Sequence, residues 1–265
     1  MRKKKRKALP RKSEALPVSG FIRALRLRRD EVADFGVYPF AIPAVKKLDR
    51  IKLHPAVTFF IGENGSGKST LLEALAVRAG FNAEGGSRNF YFRTRESHSE
   101  LFKHLVLERE PRHPADGFFL RAESFYNVAT EIENLDAIPS PDRPIGPSYG
   151  ATGLHDQSHG QAFFSMMMNR LRGNGLYIFD EPEAALSPQR QMSALTLIHD
   201  LVAAGSQFII ATHSPIILAY PDATIYEFGA AGIRTVAYEE TDHFRITRGF
   251  LNRHRKMLDI LLGQE

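Results

Sequence analysis

Three uninterrupted apolar runs predict the interior strands of this chain. They cover residues 57–61, 176–179 and 207–211. Apolar residues without polar alternation are typical of strands buried on both faces, as in a parallel sheet covered by helices. Residues 187–204 have helical patterning, end before Gly205, and would connect the second and third runs by a crossover. The pattern predicts an α/β fold with a mainly parallel core sheet and flanking helices.

Shorter patterns predict the outer elements. Residues 21–26 and 38–45 are expected to be early strands of an N-terminal antiparallel β-subdomain. Residues 224–228 and 233–238 flank a glycine-bounded turn and predict a hairpin. Residues 247–262 predict a final helix that docks on the core or on a partner.

The first apolar run leads directly into a phosphate-binding loop. The motif G-x-x-x-x-G-K-[ST] and the residue after it comprise Gly62, Glu63, Asn64, Gly65, Ser66, Gly67, Lys68, Ser69 and Thr70. The glycines allow backbone N–H groups to face a phosphate at the start of a helix. Lys68 is expected to reach the β- and γ-phosphates, and the Ser69 hydroxyl to bind Mg²⁺.

Two acids end the second apolar run, and a histidine follows the third. Asp180 is placed at a strand's carboxyl end to hold Mg²⁺ through water, and Glu181 to polarise the attacking water. His213 follows the third strand within Thr212-His213-Ser214-Pro215. A lone histidine is usually structural, so its meaning depends on the other motifs.

The segment Gln157-Ser158-His159-Gly160-Gln161 lies between the phosphate loop and the acidic strand and resembles the signature of ABC-type ATPases. With it, the motif order resembles soluble bacterial ATPases known as AAA family ATPases or ABC-like ATP-binding proteins. These are related to recombination and chromosome-maintenance ABC ATPases. The likeness covers most of the chain from about Phe21 onward.

This resemblance implies a P-loop NTPase of the ABC type with a helical signature subdomain over about residues 81–172. It implies ATP and Mg²⁺ as ligands and an ATP-dependent head-to-tail homodimer. The signature residues of one protomer would meet the nucleotide held by Lys68 of the other: Ser158, His159, Gly160 and Gln161. His213 would contact the γ-phosphate and the water, and hydrolysis would release the dimer.

Some positions depart from the transporter pattern or stay open. No glutamine precedes Gln157, so a transporter-type glutamine loop is absent; Arg121 or Glu123 fills that place or forms a structural ion pair. His159 stands where the transporter signature has glycine. Either Tyr38 or Phe40 is spaced to stack on adenine, although both suit a core.

The segment before the signature also differs from that of chromosome ATPases. Residues 81–156 lack sustained heptads, which excludes a coiled-coil arm. Prolines at 139, 141, 144 and 147 predict an extended loop, either a lid or an inert linker.

Composition and charge set the organisation of the chain. Of 265 residues 43% are hydrophobic, which suffices for a full core, and cysteine is absent, which excludes disulfides and zinc-thiolate sites. No apolar run reaches membrane-spanning length. We therefore expect a basic disordered tail over 1–18, an ABC-type ATPase domain over 19–246, a C-terminal helix over 247–265, and a cytoplasmic location.

The positive charge belongs mainly to the tail. Removing its eight basic residues from the formal net charge of +5 leaves −3 for the remainder. These residues are Arg2, Lys3, Lys4, Lys5, Arg6, Lys7, Arg11 and Lys12. Two interpretations of the tail stay open. It binds nucleic acid or another anionic surface, or it is a solvated tail that keeps the chain soluble.

The sequence thus predicts an ATP-hydrolysing switch that acts with an unidentified protein partner, by analogy in a DNA-linked or defence process. Two alternatives stay open: the ATP-binding subunit of a membrane transporter, and a slow-turnover ATP-sensing scaffold.

Overall fold

A computed structural model describes residues 20–87, 99–122 and 159–263, together with Phe125, Thr130, Asp136 and Gly146. The predictions for the basic tail, for Glu123, for the proline-rich loop and for Ser158 lie outside the described residues.

A six-stranded sheet forms the centre of the fold. Its strands are β3 (Val57–Gly62), β5 (Asp116–Arg121), β6 (Gly175–Asp180), β7 (Gln207–Ala211), β8 (Thr224–Gly229) and β9 (Gly232–Thr235). Their order is β5-β6-β7-β3-β8-β9, and all neighbours are parallel except β9, which returns antiparallel on β8. The predicted parallel core sheet and the hairpin are confirmed.

A three-stranded antiparallel sheet forms the N-terminal subdomain. It contains β1 (Ile22–Leu27), β2 (Arg50–Lys52) and β4 (Leu105–Arg109) in the order β2-β1-β4. The prediction of a strand over residues 38–45 is wrong. This segment consists of turns followed by the short helix α1 (Pro43–Lys46). Pro39 and Pro43 lack the N–H groups that a paired strand needs, and Pro43 suits the first helical turn.

Helices cover both faces of the central sheet. After α1 the described helices are α2 (Lys68–Ala79), α3 (Leu101–His104), α4 (His159–Arg170), α5 (Pro188–Ala203), α6 (Asp242–Asn252) and α7 (His254–Leu262). Ser187 caps α5, and its hydroxyl accepts a hydrogen bond from the Arg190 N–H. The prediction of a single helix over residues 247–262 is wrong, because two helices cover this region. The helix α6 starts earlier, where Thr241 caps it, and Arg253 lies between α6 and α7 with a non-helical backbone.

The side chains of successive residues in the inner strands point to opposite faces of the sheet and pack into two separate cores. Phe59, Phe179 and Phe208 pack with the apolar faces of α4 and α5. Their neighbours Phe60 and Ile209 pack with α2 and the antiparallel sheet on the other side. This two-sided burial explains the uninterrupted apolar runs, and it fixes the carboxyl ends of β3, β6 and β7 at one edge.

The buried side chain of Gln207 joins the two sheets. Its Oε1 accepts hydrogen bonds from the N–H groups of Phe21 and Ile22, at 2.8 and 2.9 Å. Its Nε2 donates to the carbonyls of Ile22 and His54, at 2.8 and 2.9 Å. A polar residue at the start of an apolar strand thus satisfies four backbone groups at the junction.

Candidate functional site

Two glycines allow the phosphate loop its shape. Gly62 has φ +143° and Gly67 has φ +98°. A Cβ at Gly62 would lie 2.3 Å from the carbonyl oxygen of Phe228, and one at Gly67 would lie 2.7 Å from Cγ2 of Ile42. The loop therefore curls tightly between β8 and the segment before α1, with its backbone free of side chains at both positions.

The Lys68 side chain fills the inside of this loop. Its Nζ donates to the carbonyl oxygens of Gly62 and Glu63, at 2.8 and 3.0 Å. Only 4% of Lys68 is exposed. Burial lowers the pKa of Lys68, and the nearby carboxylates of Glu181 and Asp180 oppose that shift. A desolvated ammonium group so placed suits a phosphate ligand.

Ser69 and Asp180 bring two oxygen ligands together. The Ser69 hydroxyl donates to Oδ1 of Asp180 at 3.0 Å. Among the described residues, no group of three or more His, Cys, Asp or Glu could enclose a metal ion. The pair still fits Mg²⁺, which commonly takes one or two protein oxygens and completes its shell with water and phosphate oxygens.

Arg121 occupies the end of β5 beside this pair. Its Nη1 lies 2.8 Å from Oε2 of Glu73, and its Nε lies 3.6 Å from Oδ2 of Asp180. The sequence left two roles open for Arg121, a substitute for the transporter glutamine or a structural ion pair. In the structure Arg121 forms the ion pair, which lies next to the candidate magnesium ligands.

The strand order explains how Glu181 and His213 meet. Because β7 lies between β3 and β6, the segment that follows β7 and carries His213 is flanked by the phosphate loop and the acids. Glu181 adopts a left-handed conformation, with φ 49° and ψ 52°, and turns the chain away from the sheet. Its Oε1 lies 3.5 Å from Nε2 of His213. Unusual backbone conformations of this kind cluster at functional sites.

The side chain of Glu183 binds the loop that carries His213. Oε1 of Glu183 accepts a hydrogen bond from the backbone N–H of His213. Burial raises the pKa of Glu183. Within the described part of the chain, Nε2 of His213 is buried and makes no hydrogen bond, so it is available to a ligand oxygen.

His243 is a site residue that the sequence did not indicate. It lies on α6, and its Nε2 is 3.3 Å from Nδ1 of His213. Burial lowers the pKa of His243, and the neighbouring His213 and Lys68 act in the same direction. No motif surrounds it, so only the fold reveals this contact.

The start of α4 carries the described part of the signature segment. His159 and Gly160 open the helix, and Gln161 is exposed. A Cβ at Gly160 would lie 2.7 Å from the carbonyl oxygen of Ala185, in the loop after Glu181. The signature therefore contacts the acidic loop of its own chain.

A cleft of about 790 Å³ opens beside the phosphate loop. The β8–β9 hairpin, α6, Pro43 and His213 line it. Phe40 is buried, at 7% exposed, which agrees with its core interpretation, whereas Tyr38 is 69% exposed.

Two comparisons with known proteins find sequences similar to this chain. A family model described as "AAA domain, putative AbiEii toxin, Type IV TA system" matches residues 57–123 and 157–219. These ranges contain the phosphate loop, both acids and His213. The ABC transporter G family member STR2 of Medicago truncatula is 27% identical over 174 residues, which are 60% of this chain and 24% of that protein. The chain spans about a quarter of the length of this curated relative.

Two solved structures are similar to this chain at low sequence identity. The SMC head domain from Thermotoga maritima is 13% identical with a TM-score of 0.44, covering 82% of this chain and 98% of that one. A nucleotide-free ATP-binding cassette from an ABC transporter is 19% identical with a TM-score of 0.45, covering 76% and 87%.

The fold and the order of its motifs define a P-loop ATPase domain of the ABC type. Within that class, residues 57–123 and 157–219 match the AAA domain family named above. No helix in the described ranges is both long and apolar enough to cross a membrane.

Proposed function

We propose that this chain is an ATP-hydrolysing switch of the ABC class, which binds ATP and Mg²⁺ between two copies of itself. The observation that carries this proposal is the convergence of Lys68, the Ser69–Asp180 pair and the Glu181–His213 pair at one edge of the sheet. Phosphate binding, metal binding and water activation require these three groups side by side.

Each group has a distinct role in this proposal. Lys68 binds the terminal phosphates, and Ser69 and Asp180 hold Mg²⁺, which supplies positive charge to the phosphates when bound. Glu181 is 40% exposed at its side chain, and it orients the attacking water and accepts its proton. His213 donates from Nε2 to an oxygen of the γ-phosphate or of the water.

The dimer completes the site in this proposal. The Gly160 end of α4 would face the nucleotide of the other subunit, together with Ser158, His159 and Gln161. Because Gly160 contacts the loop after Glu181, a change at the acids of one subunit reaches the signature of the same subunit. That contact supports coupling between the two half-sites, with release after hydrolysis.

The proposed setting is cytoplasmic, with an unidentified partner protein that receives the movement. A DNA-linked or defence process is proposed by analogy alone, and the tail from Arg2 to Lys12 is the proposed contact for nucleic acid.

A transporter subunit is the second candidate. The curated relative is named as an ABC transporter, which favours it, and the absence of glutamine before Gln157 opposes it. Recovery of the chain in a stable complex with an integral membrane protein would favour this second candidate.

The test is Glu181→Gln, measured for ATP turnover and for mass in solution with and without ATP. We expect turnover to fall on the order of 10²- to 10⁴-fold and the variant to stay dimeric with ATP. Glu240→Gln, at an exposed acid, is the matched control and should behave like wild type. Unchanged turnover in Glu181→Gln would overturn the catalytic role, and a variant that binds ATP as a monomer would overturn the dimer.

A further inference from the structure

His243 contacts His213 from the side opposite Glu181. Nδ1 of His213 lies 3.3 Å from Nε2 of His243, and Nε2 of His213 lies 3.5 Å from Oε1 of Glu181. Since α6 lies beyond residues 57–123 and 157–219, the family match does not cover His243. The three side chains form a row that ends at the proposed reaction centre.

We propose that His243 is a positioning residue that keeps the proton of neutral His213 on Nε2, the nitrogen that faces Glu181. This inference rests on the proposed function only for its catalytic consequence, because the two histidines are in contact whether or not the chain hydrolyses ATP.

The chemistry of the row selects this tautomer. Between two neutral imidazoles, one nitrogen must donate and the other must accept. If Nε2 of His243 donates, Nδ1 of His213 accepts and its proton sits on Nε2. The reverse arrangement would present a bare Nε2 lone pair to the Glu181 carboxylate, which is repulsive. Only an Nε2–H can also donate to a phosphate oxygen.

Three contacts fix His243 in place. The Thr241 hydroxyl accepts a hydrogen bond from the Phe244 N–H at 3.2 Å and donates to the Tyr238 carbonyl at 2.7 Å, which caps α6. The Tyr238 hydroxyl donates to the carbonyl of Pro215 at 2.7 Å. The segment that carries His243 is therefore bonded to the same loop that carries His213.

The surroundings of His243 favour its neutral form. Burial opposes a positive charge there most strongly, and Lys68 and the amino-terminal end of α6 oppose it as well. Asp242 and Glu227 favour the charge, and burial outweighs them, so the pKa of His243 is lowered. A neutral His243 can share one hydrogen bond with His213, whereas two protonated rings would repel each other.

The direct test is the ¹⁵N spectrum of the histidine rings in the full chain without nucleotide. We expect His213 in the wild-type chain to show the Nε2–H tautomer. In His243→Gln the amide Nε2 still donates, so the tautomer should persist. In His243→Phe the ring remains but the donor is lost, so the His213 signals should shift toward a mixture of both tautomers. A spectrum that is the same in all three chains would overturn the proposal.

Kinetics provides the second measurement. His243→Phe should lower kcat about 10- to 100-fold with an unchanged KM for ATP, and His243→Gln should recover most of that loss. His254→Phe, at an exposed histidine of α7, is the control. Equal kcat in His243→Phe and wild type would overturn the catalytic consequence while leaving ATPase function standing. A wild-type chain without ATPase activity would overturn the proposed function, and the ¹⁵N spectra would still test the histidine pair.

Discussion

The hydroxyl of Ser69 lies 3.0 Å from Oδ1 of Asp180, although 111 residues separate them in the sequence. Ser69 follows β3 and Asp180 ends β6, and β7 pairs with both strands. The contact between the two candidate metal ligands is therefore produced by the sheet and not by any local turn.

We expect Asp180→Asn to weaken the effect of Mg²⁺ on ATP binding. The amide keeps the size of the side chain and can still bond to Ser69, but it lacks the charge that attracts the ion. The loss of Mg²⁺ affinity should be about 10- to 100-fold, measured by calorimetric titration of nucleotide with and without the metal. Asp200→Asn, at an exposed acid of α5, should show the wild-type dependence. Equal dependence in both variants would contradict the metal assignment.

Gly67→Ala should destabilise the chain more than Gly65→Ala. Both glycines have positive φ, so alanine costs about 1–2 kcal/mol of unfolding free energy at either position. At Gly67 the new Cβ also meets Cγ2 of Ile42 at 2.7 Å, whereas nothing lies within 4 Å of a Cβ at Gly65. Urea unfolding measures both variants. If the clash with Ile42 contributes, adding Ile42→Ala should recover part of the unfolding free energy lost in Gly67→Ala. The same addition should recover none of the free energy lost in Gly65→Ala.

Gln207→Leu should destabilise the fold on the order of 3 kcal/mol, because it leaves backbone groups at the junction of the two sheets without partners. The comparison is Gln189→Leu, at an exposed position of α5, with an expected change within about 0.5 kcal/mol. Similar midpoints for the two variants in urea would show that water or a local shift replaces the Gln207 bonds.

The contribution of Glu108 should disappear in acid. Two hydrogen bonds from Arg50, both at 2.7 Å, hold the pKa of Glu108 at about 2, below its ordinary value of 4.5. Because the folded-state pKa is the lower one, the stabilisation is fully present above the ordinary value and is lost as the pH falls toward 2. The urea midpoint of Glu108→Gln should lie below that of wild type near neutral pH, and the gap should narrow across this window. A gap that stays constant with pH would argue against the pair.

The sequence was most informative where burial and motif coincide. Residues 57–61, 176–179 and 207–211 read as strands because both faces of β3, β6 and β7 are covered, so no polar alternation interrupts them. The same runs end at the phosphate loop, the acids and His213. Parallel strands share one carboxyl edge, which made the candidate site predictable as a group.

Other features depend on partners far along the chain. The apolar residues at 38–45 suggested a strand, but Phe40 lies in a turn and its side chain is buried there. The prolines of this segment lack the N–H groups that pairing with another strand requires. Strand β4, whose pattern is mixed because its residues are only partly buried, joins the N-terminal sheet after α2. Neither the role of Gln207 nor the approach of His243 to His213 has a local signal, since each arises from contacts between distant segments.

The place of β7 between β3 and β6 also links heat loss of nucleotide binding, as we expect it, to melting of the central sheet. Its backbone pairs with both neighbours, so the phosphate loop and the acids cannot separate while those pairings last. We therefore expect the candidate site and the fold to be lost in one cooperative transition.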